Sequence, residues 1–404
     1  MKRLIANSFL YDGYVKIHSL FGSEYERKTI KADALKDFIL SDEADSFNVA
    51  PPFENEIGRY LENLDESALK TGAVDTVVIR DGMKTGYNTE IRGMKFMLEK
   101  SGVTLADKAV TILGGGTAAR EAEYLCKKLG ARKIYAVKRI AEINYGETAD
   151  TDVIINATPV GKIIGERPVD LSKFPNASAV ADTVSAPFNT ALLQQAAKLN
   201  MKTAHGLCML VSGAKYSEDL FDGKEFSDGG IAEVYAGMRK IMQNVVLIGM
   251  PSSGKTTLGK TLAAVLGKRF IDTDKEIEKR QNASVAKIFA EYGEKYFRMT
   301  EKKEAERLAD EKACVISCGG GMPLDAENMV NLRYNGVIVN IKRDVGLLST
   351  EGRPLSSGRE ALIKMEAERS PIYEKYADFS VSNNTLPQDA EEKILRGLDE
   401  IFSR

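Results

Sequence analysis

Residues 249–256 read G-M-P-S-S-G-K-T and follow the apolar run Val245, Val246, Leu247 and Ile248. This is a phosphate-binding loop in the strand-then-helix setting that gives the motif its meaning. The spacing has a mechanical cause. Glycines let successive backbone N–H groups turn inward around phosphate oxygens, Lys255 reaches the β and γ phosphates, and the Thr256 hydroxyl is placed to ligate Mg²⁺. Apolar residues at helical spacing follow, from Leu258 to Leu266. A chain with this element is built around a parallel sheet and directed at a nucleotide.

At 404 residues the chain exceeds what one hydrophobic core ordinarily supports, so two or three domains are expected. The formal net charge of −2 gives no general attraction to nucleic acid or to an anionic membrane, so neither is expected as a partner. No apolar run approaches the roughly 20 residues that span a bilayer, and Met1, Lys2 and Arg3 do not open a signal-type segment. The expected location is the cytoplasm. Cys126, Cys208, Cys314 and Cys318 form no C-x-x-C pair, and His18 and His205 are the only histidines, so a zinc site is not expected. The thiols read as reduced and buried.

Organisation changes near Gln243 and Asn244, where a helical pattern over 231–242 runs directly into the strand that feeds the loop. Beyond it the pattern predicts strands at 245–249, 314–317 and 337–341 and helices at 255–266, 284–291 and 295–310. Residues 270–274 read F-I-D-T-D. At a strand end, side chains two apart share a face, so Asp272 and Asp274 are expected together at the edge where α/β sheets bind ligands. Asp272 can hold a metal through water, and Asp274 can orient an attacking hydroxyl or take its proton. The plainer alternative is that the pair caps the following helix.

Three further elements point to a small anionic polyol. Arg298 follows Phe297 on a predicted helix, Gly319, Gly320 and Gly321 follow a strand, and Arg369 opens R-S-P-I-Y. Glycines at a strand end admit close backbone approach, and two arginines can clamp one carboxylate. Arg353 sits in T-E-G-R-P-L, a stretch suited to a lid, from which it can neutralise charge on the γ-phosphate.

With these motifs in order, residues 244 to about 390 resemble shikimate kinases: G-M-P-S-S-G-K-T-T, F-I-D-T-D, G-E-K-Y-F-R, C-G-G-G, G-R-P-L and R-S-P-I-Y. The resemblance implies ATP as co-substrate, held at Ser252, Ser253, Gly254, Lys255, Thr256 and Thr257 with Arg353 as the lid arginine. It implies Mg²⁺ at Thr256 with Asp272 nearby, and shikimate held by Asp274, Arg298, Gly320 and Arg369. Asp274, Lys255 and Arg353 would be the catalytic residues, and the γ-phosphoryl group would pass to the 3-hydroxyl of shikimate. The lid over 347–352 is short and lacks an arginine that some relatives place against adenine. A kinase of another sugar acid and a non-enzymatic nucleotide-binding regulator are the rival readings.

The N-terminal 243 residues carry a second glycine turn. Residues 109–119 read A-V-T-I-L-G-G-G-T-A-A, placing Gly114, Gly116 and Ala119 in the G-x-G-x-x-A pattern of a dinucleotide-binding unit. A second strand over 133–137 ends in Lys138 and Arg139, a basic pair that suits a 2′-phosphate, so NADP is favoured over NAD if either binds. Between Arg139 and Asp152 the chain is short for a full Rossmann half. This segment resembles shikimate dehydrogenases through F-N-V at 47–49 with Pro52 and Phe53, G-A-V-D-T at 72–76, N-T-E at 88–90, the glycine turn, I-N-A-T-P at 155–159 and G-L-C-M-L at 206–210.

The resemblance fails at the chemistry. Glu54 stands where that family has its catalytic lysine, and Glu90 where it has the partner aspartate; Asp75, Ser185 and Gly213 replace its asparagine, tyrosine and glutamine. A carboxylate in place of the lysine repels the negative charge the lysine would stabilise. The expected fold is therefore α/β throughout: a dehydrogenase-like substrate subdomain at 1–100, a Rossmann-like subdomain at 101–243 and a kinase domain at 244–404. The N-terminal half is expected to have kept the dehydrogenase fold and lost its standard mechanism, leaving support, homodimerisation or ligand sensing. A bifunctional enzyme using Glu54 and Glu90 as an altered acid–base pair is the alternative.

Overall fold

The computed structural model describes residues 3–6, 12–41, 46–349 and 358–403. These residues fall into two compact units, 1–238 and 239–404. Among the described residues no helix is long and apolar enough to cross a membrane.

The first unit holds two sheets. Strands β1 (Arg3–Ala6), β2 (Tyr25–Lys28), β3 (Ser46–Val49), β4 (Asn63–Leu64), β5 (Thr76–Arg80) and β6 (Met83–Tyr87) form a mixed sheet in the order β2-β1-β3-β5-β6-β4. Its core gathers Phe38, Phe47, Phe53, Ile57 and Val77. Strands β7 (Ala109–Leu113), β8 (Lys133–Val137), β9 (Val153–Asn156), β10 (Ala179–Asp182) and β11 (Lys202–His205) form a parallel sheet in the order β11-β10-β9-β7-β8. Every residue of β7, β9 and β10 is buried, as apolar strands covered on both faces require. Between β8 and β9 the chain makes only the 3₁₀ turn Ile140–Glu142, so the crossover helix of a full Rossmann half is missing, as its length predicts.

The second unit is a parallel sheet of β12 (Asn244–Ile248), β13 (Arg269–Asp272), β14 (Cys314–Ser317), β15 (Gly336–Lys342) and β16 (Phe379–Ser382), in the order β13-β14-β12-β15-β16. Central β12 is buried along its whole length, and Val246, Ile248, Ile316 and Ile338 carry the core. All five strands are parallel, so their carboxyl ends share one edge, where the phosphate loop, Asp272 and the glycine triplet emerge. The expected helices at 284–291 and 295–310 are one span, Val285–Leu308, broken at Gly293 (φ 79°, ψ 173°). Only glycine adopts that conformation without strain.

All four cysteines are buried free thiols. Burial pushes Cys126 and Cys208 up to about 12, which keeps them inert.

Candidate functional site

The phosphate loop curls because three of its residues take left-handed backbone conformations: Gly249 (φ 139°), Ser252 (φ 63°) and Gly254 (φ 98°). Two of these positions also lack room for a side chain. A Cβ on Gly249 would lie 2.4 Å from the Ile341 carbonyl oxygen, and one on Gly254 would lie 2.3 Å from Asn383 Nδ2. Buried Asn383 donates through that nitrogen to the Ser253 carbonyl over 2.8 Å, pinning the loop from the end of β16. Buried Lys255 folds back into the loop, donating to the carbonyls of Gly249 (2.9 Å) and Met250 (2.8 Å). Phosphate oxygens would take these bonds over without the ammonium leaving its place.

Thr256, in the first turn of helix Lys255–Leu266, donates from Oγ1 to Asp272 Oδ2 over 2.8 Å, with Ser317 Oγ 3.4 Å away. Asp272 Oδ1 accepts from the Lys275 N–H over 3.2 Å and caps helix Thr273–Gln281. The two readings of Asp272, metal neighbour and helix cap, are thus both compatible with one carboxylate. Strand alternation, however, is not what brings Asp274 beside it. The strand ends at Asp272, and Asp274 lies in the first helical turn. Both acids line one cavity of 330 Å³ with Lys255, Thr256, Thr257 and Ser317.

Gly319 and Gly320 also line this cavity, and close packing explains the composition of the triplet. A Cβ on Gly319 would fall 2.4 Å from Asp274 Oδ1, one on Gly320 3.0 Å from the Pro251 ring, and one on Gly321 1.7 Å from Arg298 Nη1. The triplet's N–H groups are not all open to a ligand as its position implied: Gly319 donates to Thr273 Oγ1 over 2.9 Å. Arg298 donates to Glu301 (2.5 Å) and Glu294 (2.8 Å). Arg369 (3.1 Å) and Tyr373 (2.7 Å) both donate to the Gly320 carbonyl. Neither arginine lines the 330 Å³ cavity itself; Arg369 bonds Gly320, which does, and Arg298 packs on Gly321, the residue after it. Arg353 lies outside the described residues.

Several site residues carry no motif. Arg343 lines the cavity just past β15, and Asn383 holds the loop just past β16. Their signal was positional, since both follow the carboxyl ends of strands. Glu301 pairs with Arg298 at helical i,i+3 spacing, which was readable, but its depth was not. Burial pushes Glu301 up to about 7 against the pull of Arg298, with Asp274 adding to the rise. Burial likewise raises the thiol of Cys318, the residue before the triplet, although Lys255 draws it down.

In the first unit a cavity of 390 Å³ opens between elements of both sheets, lined by Glu54, Asp75, Glu90 and Ser185 among others. Tyr14 also reaches it, a residue no sequence pattern singled out. At the glycine turn, Gly114 (φ 126°) would place a Cβ 2.7 Å from the Ala157 carbonyl oxygen, and Gly116 opens helix Thr117–Lys128, on which Ala119 is buried. Arg139 is exposed and pairs with Glu142 over 3.1 Å.

Residues 251–399 match the family model described as shikimate kinase. A shikimate kinase of Caldanaerobacter subterraneus subsp. tengcongensis is 40% identical over 163 residues, covering 38% of this chain and 95% of that protein. One of Thermoanaerobacter pseudethanolicus is 41% identical over 165 residues, covering 38% and 95%. The N-terminal region is similar to the crystal structure of a chorismate mutase/shikimate 5-dehydrogenase fusion protein from Clostridium acetobutylicum, at 27% identity and a TM-score of 0.54, covering 58% of this chain and 94% of that one.

Proposed function

The chain belongs to the shikimate kinase family, and from that premise we propose that residues 244–404 transfer the γ-phosphoryl group of ATP to the 3-hydroxyl of shikimate, giving shikimate 3-phosphate and ADP. One observation carries the reading: Lys255, Thr256, Asp272 and Asp274 line a single cavity with Gly319 and Gly320, beside which Arg369 bonds Gly320 and Arg298 packs on Gly321.

The phosphate loop takes the β and γ phosphates, with Ser252, Ser253, Gly254 and Thr257 supplying backbone and hydroxyl donors. Lys255 exchanges the carbonyls of Gly249 and Met250 for phosphate oxygens. The Thr256 hydroxyl and the Asp272 carboxylate, already in contact, suit Mg²⁺ in chemistry and would hold it. When bound, that ion neutralises charge on the phosphates. Arg298 and Arg369 anchor the shikimate carboxylate beside Gly320. Asp274 orients the 3-hydroxyl and accepts its proton as oxygen bonds to phosphorus and the bond from phosphorus to the ADP oxygen breaks. Positioning and fixed charge supply most of the acceleration. Arg353 keeps the lid role its sequence setting gives it. An ADP-release assay with Mg-ATP tests the proposal: release should depend on shikimate, and release that ignores it would sink the proposal.

For the first unit we propose a dehydrogenase-like scaffold, divided at about residue 100, whose standard hydride chemistry is lost. Glu54 in the cavity supplies none of the positive charge with which a lysine there would stabilise the reacting oxygen. The turn at Gly114 and Gly116 retains the close approach a dinucleotide needs, and Arg139 would meet a 2′-phosphate only by leaving Glu142. Reduction of NADP⁺ by shikimate on the full chain, at a rate comparable with its kinase turnover, would contradict this. The cytoplasm remains the proposed location.

A further inference from the structure

We propose that the cavity of the first unit is a binding site for a small organic cation, an ammonium or guanidinium group carried on a compact apolar body. This inference is independent of the kinase reading. The cavity joins two kinds of lining. Val49, Pro51, Ala157, Val184, Met209 and Leu210 give it apolar surface, and Tyr14, Glu54, Asp75 and Glu90 line it as well.

Among the described residues no basic side chain is paired with these acids. Asp75 is fixed by hydroxyl and backbone donors, from Thr76 (2.6 Å), Thr89 (2.9 Å) and the Glu90 N–H (2.8 Å). Glu54 is only 6% exposed, and among the described residues no hydrogen-bond donor reaches its carboxyl group. Behind it Glu121 is buried, bonded through Oε1 to Asn88 (2.7 Å) while its Oε2 has no partner among the described residues. Of the basic groups nearby, Arg120 donates to the Thr71 carbonyl (3.0 Å) and to Asn55 rather than to a carboxylate, and Lys162 lines the cavity with its side chain exposed.

A buried, unpaired carboxyl group in a cavity is costly unless its occupant pairs with it. Beside the ionised acids a carboxylate ligand would add a further like charge. A metal ion fits poorly, because among the described residues no three acidic, histidine or cysteine side chains are grouped to hold one. An organic cation satisfies both kinds of lining, its charge toward Glu54, Asp75 and Glu90 and its body on the apolar surface.

Proton linkage gives the site a signature. Burial, with Glu121 and Asp75 adding to it and Arg120 opposing, pushes Glu54 up to about 9. Burial also raises Glu90, with Glu121, Glu54 and Asp75 adding to it. A cation favours the ionised carboxylates, so its binding must expel protons and strengthen as the pH rises, while an alkylammonium itself stays charged to about pH 10.

Calorimetry on the full-length protein can compare cyclohexylamine with cyclohexanecarboxylate, which share a ring and differ in charge. Saturable binding of the amine is expected, at least about tenfold tighter than the carboxylate, and tightening between about pH 6 and pH 9. Glu54→Gln should weaken the amine about tenfold. The wild-type comparison needs no variant, so it stands even where a substitution perturbs folding. Equal or tighter binding of the carboxylate, saturable binding of neither, displacement of the amine by submillimolar MgCl₂, or an amine affinity untouched by Glu54→Gln would each overturn the proposal.

Discussion

Thr256 Oγ1 donates to Asp272 Oδ2 over 2.8 Å, while the other oxygen of the same carboxylate accepts the Lys275 N–H. One aspartate therefore ties the helix that follows the phosphate loop to the helix that follows β13. Substitutions can separate its two duties. Asp272→Asn keeps a good cap but removes the charge that Mg²⁺ would use, so kcat should fall about 10- to 100-fold with a higher Mg²⁺ requirement and an unchanged melting temperature. Asp272→Ala should show the same kinetic loss and destabilise the fold by about 1 kcal/mol as well. Steady-state kinetics across a Mg²⁺ titration, with thermal melts, check both.

The glycine triplet supports a second separation. A methyl group on Gly319 meets Asp274, and one on Gly321 meets Arg298. Gly319→Ala should displace the proton acceptor and lower kcat by about 10²-fold. Gly321→Ala should displace the anchoring guanidinium and raise the shikimate KM about tenfold with a smaller effect on kcat. The opposite split would reverse the assigned roles.

Asn383 bonds the Ser253 carbonyl and packs against Gly254 in the phosphate loop. Asn383→Ala removes a bond worth about 1 kcal/mol, so the ATP KM should rise roughly fivefold and the shikimate KM stay put. A shift in the shikimate KM alone would show that Asn383 does not act through the loop.

The buried acids of the first unit give a pH prediction. Glu121 is pushed up to about 7, chiefly by burial, so folding favours its protonated form. Stability from this group is fully present below its unfolded value of about 4.5 and is lost as the pH rises toward 7. Glu121→Gln stays neutral and should raise stability by about 1–3 kcal/mol at pH 8 and by much less at pH 5. Melting temperatures of both proteins from pH 5 to pH 8 test it; a gain independent of pH would remove the ionisation argument.

Much of this molecule is legible in its residues, for identifiable reasons. The phosphate loop, F-I-D-T-D and the glycine triplet are local: each needs particular residue types at fixed spacing, and each lies where its motif predicts. The apolar run of β12 likewise announced a buried parallel strand. What resisted reading depends on contacts between distant segments. Asn383 reaches the loop across 130 positions of sequence, and Glu301 is distinguished only by its burial. The pairing of Asp272 with Asp274 was anticipated through strand periodicity, but the strand ends at Asp272, two residues short of Asp274. The acid substitutions at Glu54 and Glu90 were visible; their convergence with Asp75 and Tyr14 around one cavity was not.

The central claim, that the second unit moves a phosphoryl group from ATP to shikimate, is met most directly by following the reaction of the full chain with Mg-ATP and shikimate by ³¹P NMR. The account predicts a new phosphomonoester signal growing in step with ADP, absent without shikimate and nearly abolished by Asp274→Asn. Inorganic phosphate in place of that ester, or an ester formed at the same rate by Asp274→Asn, would contradict it.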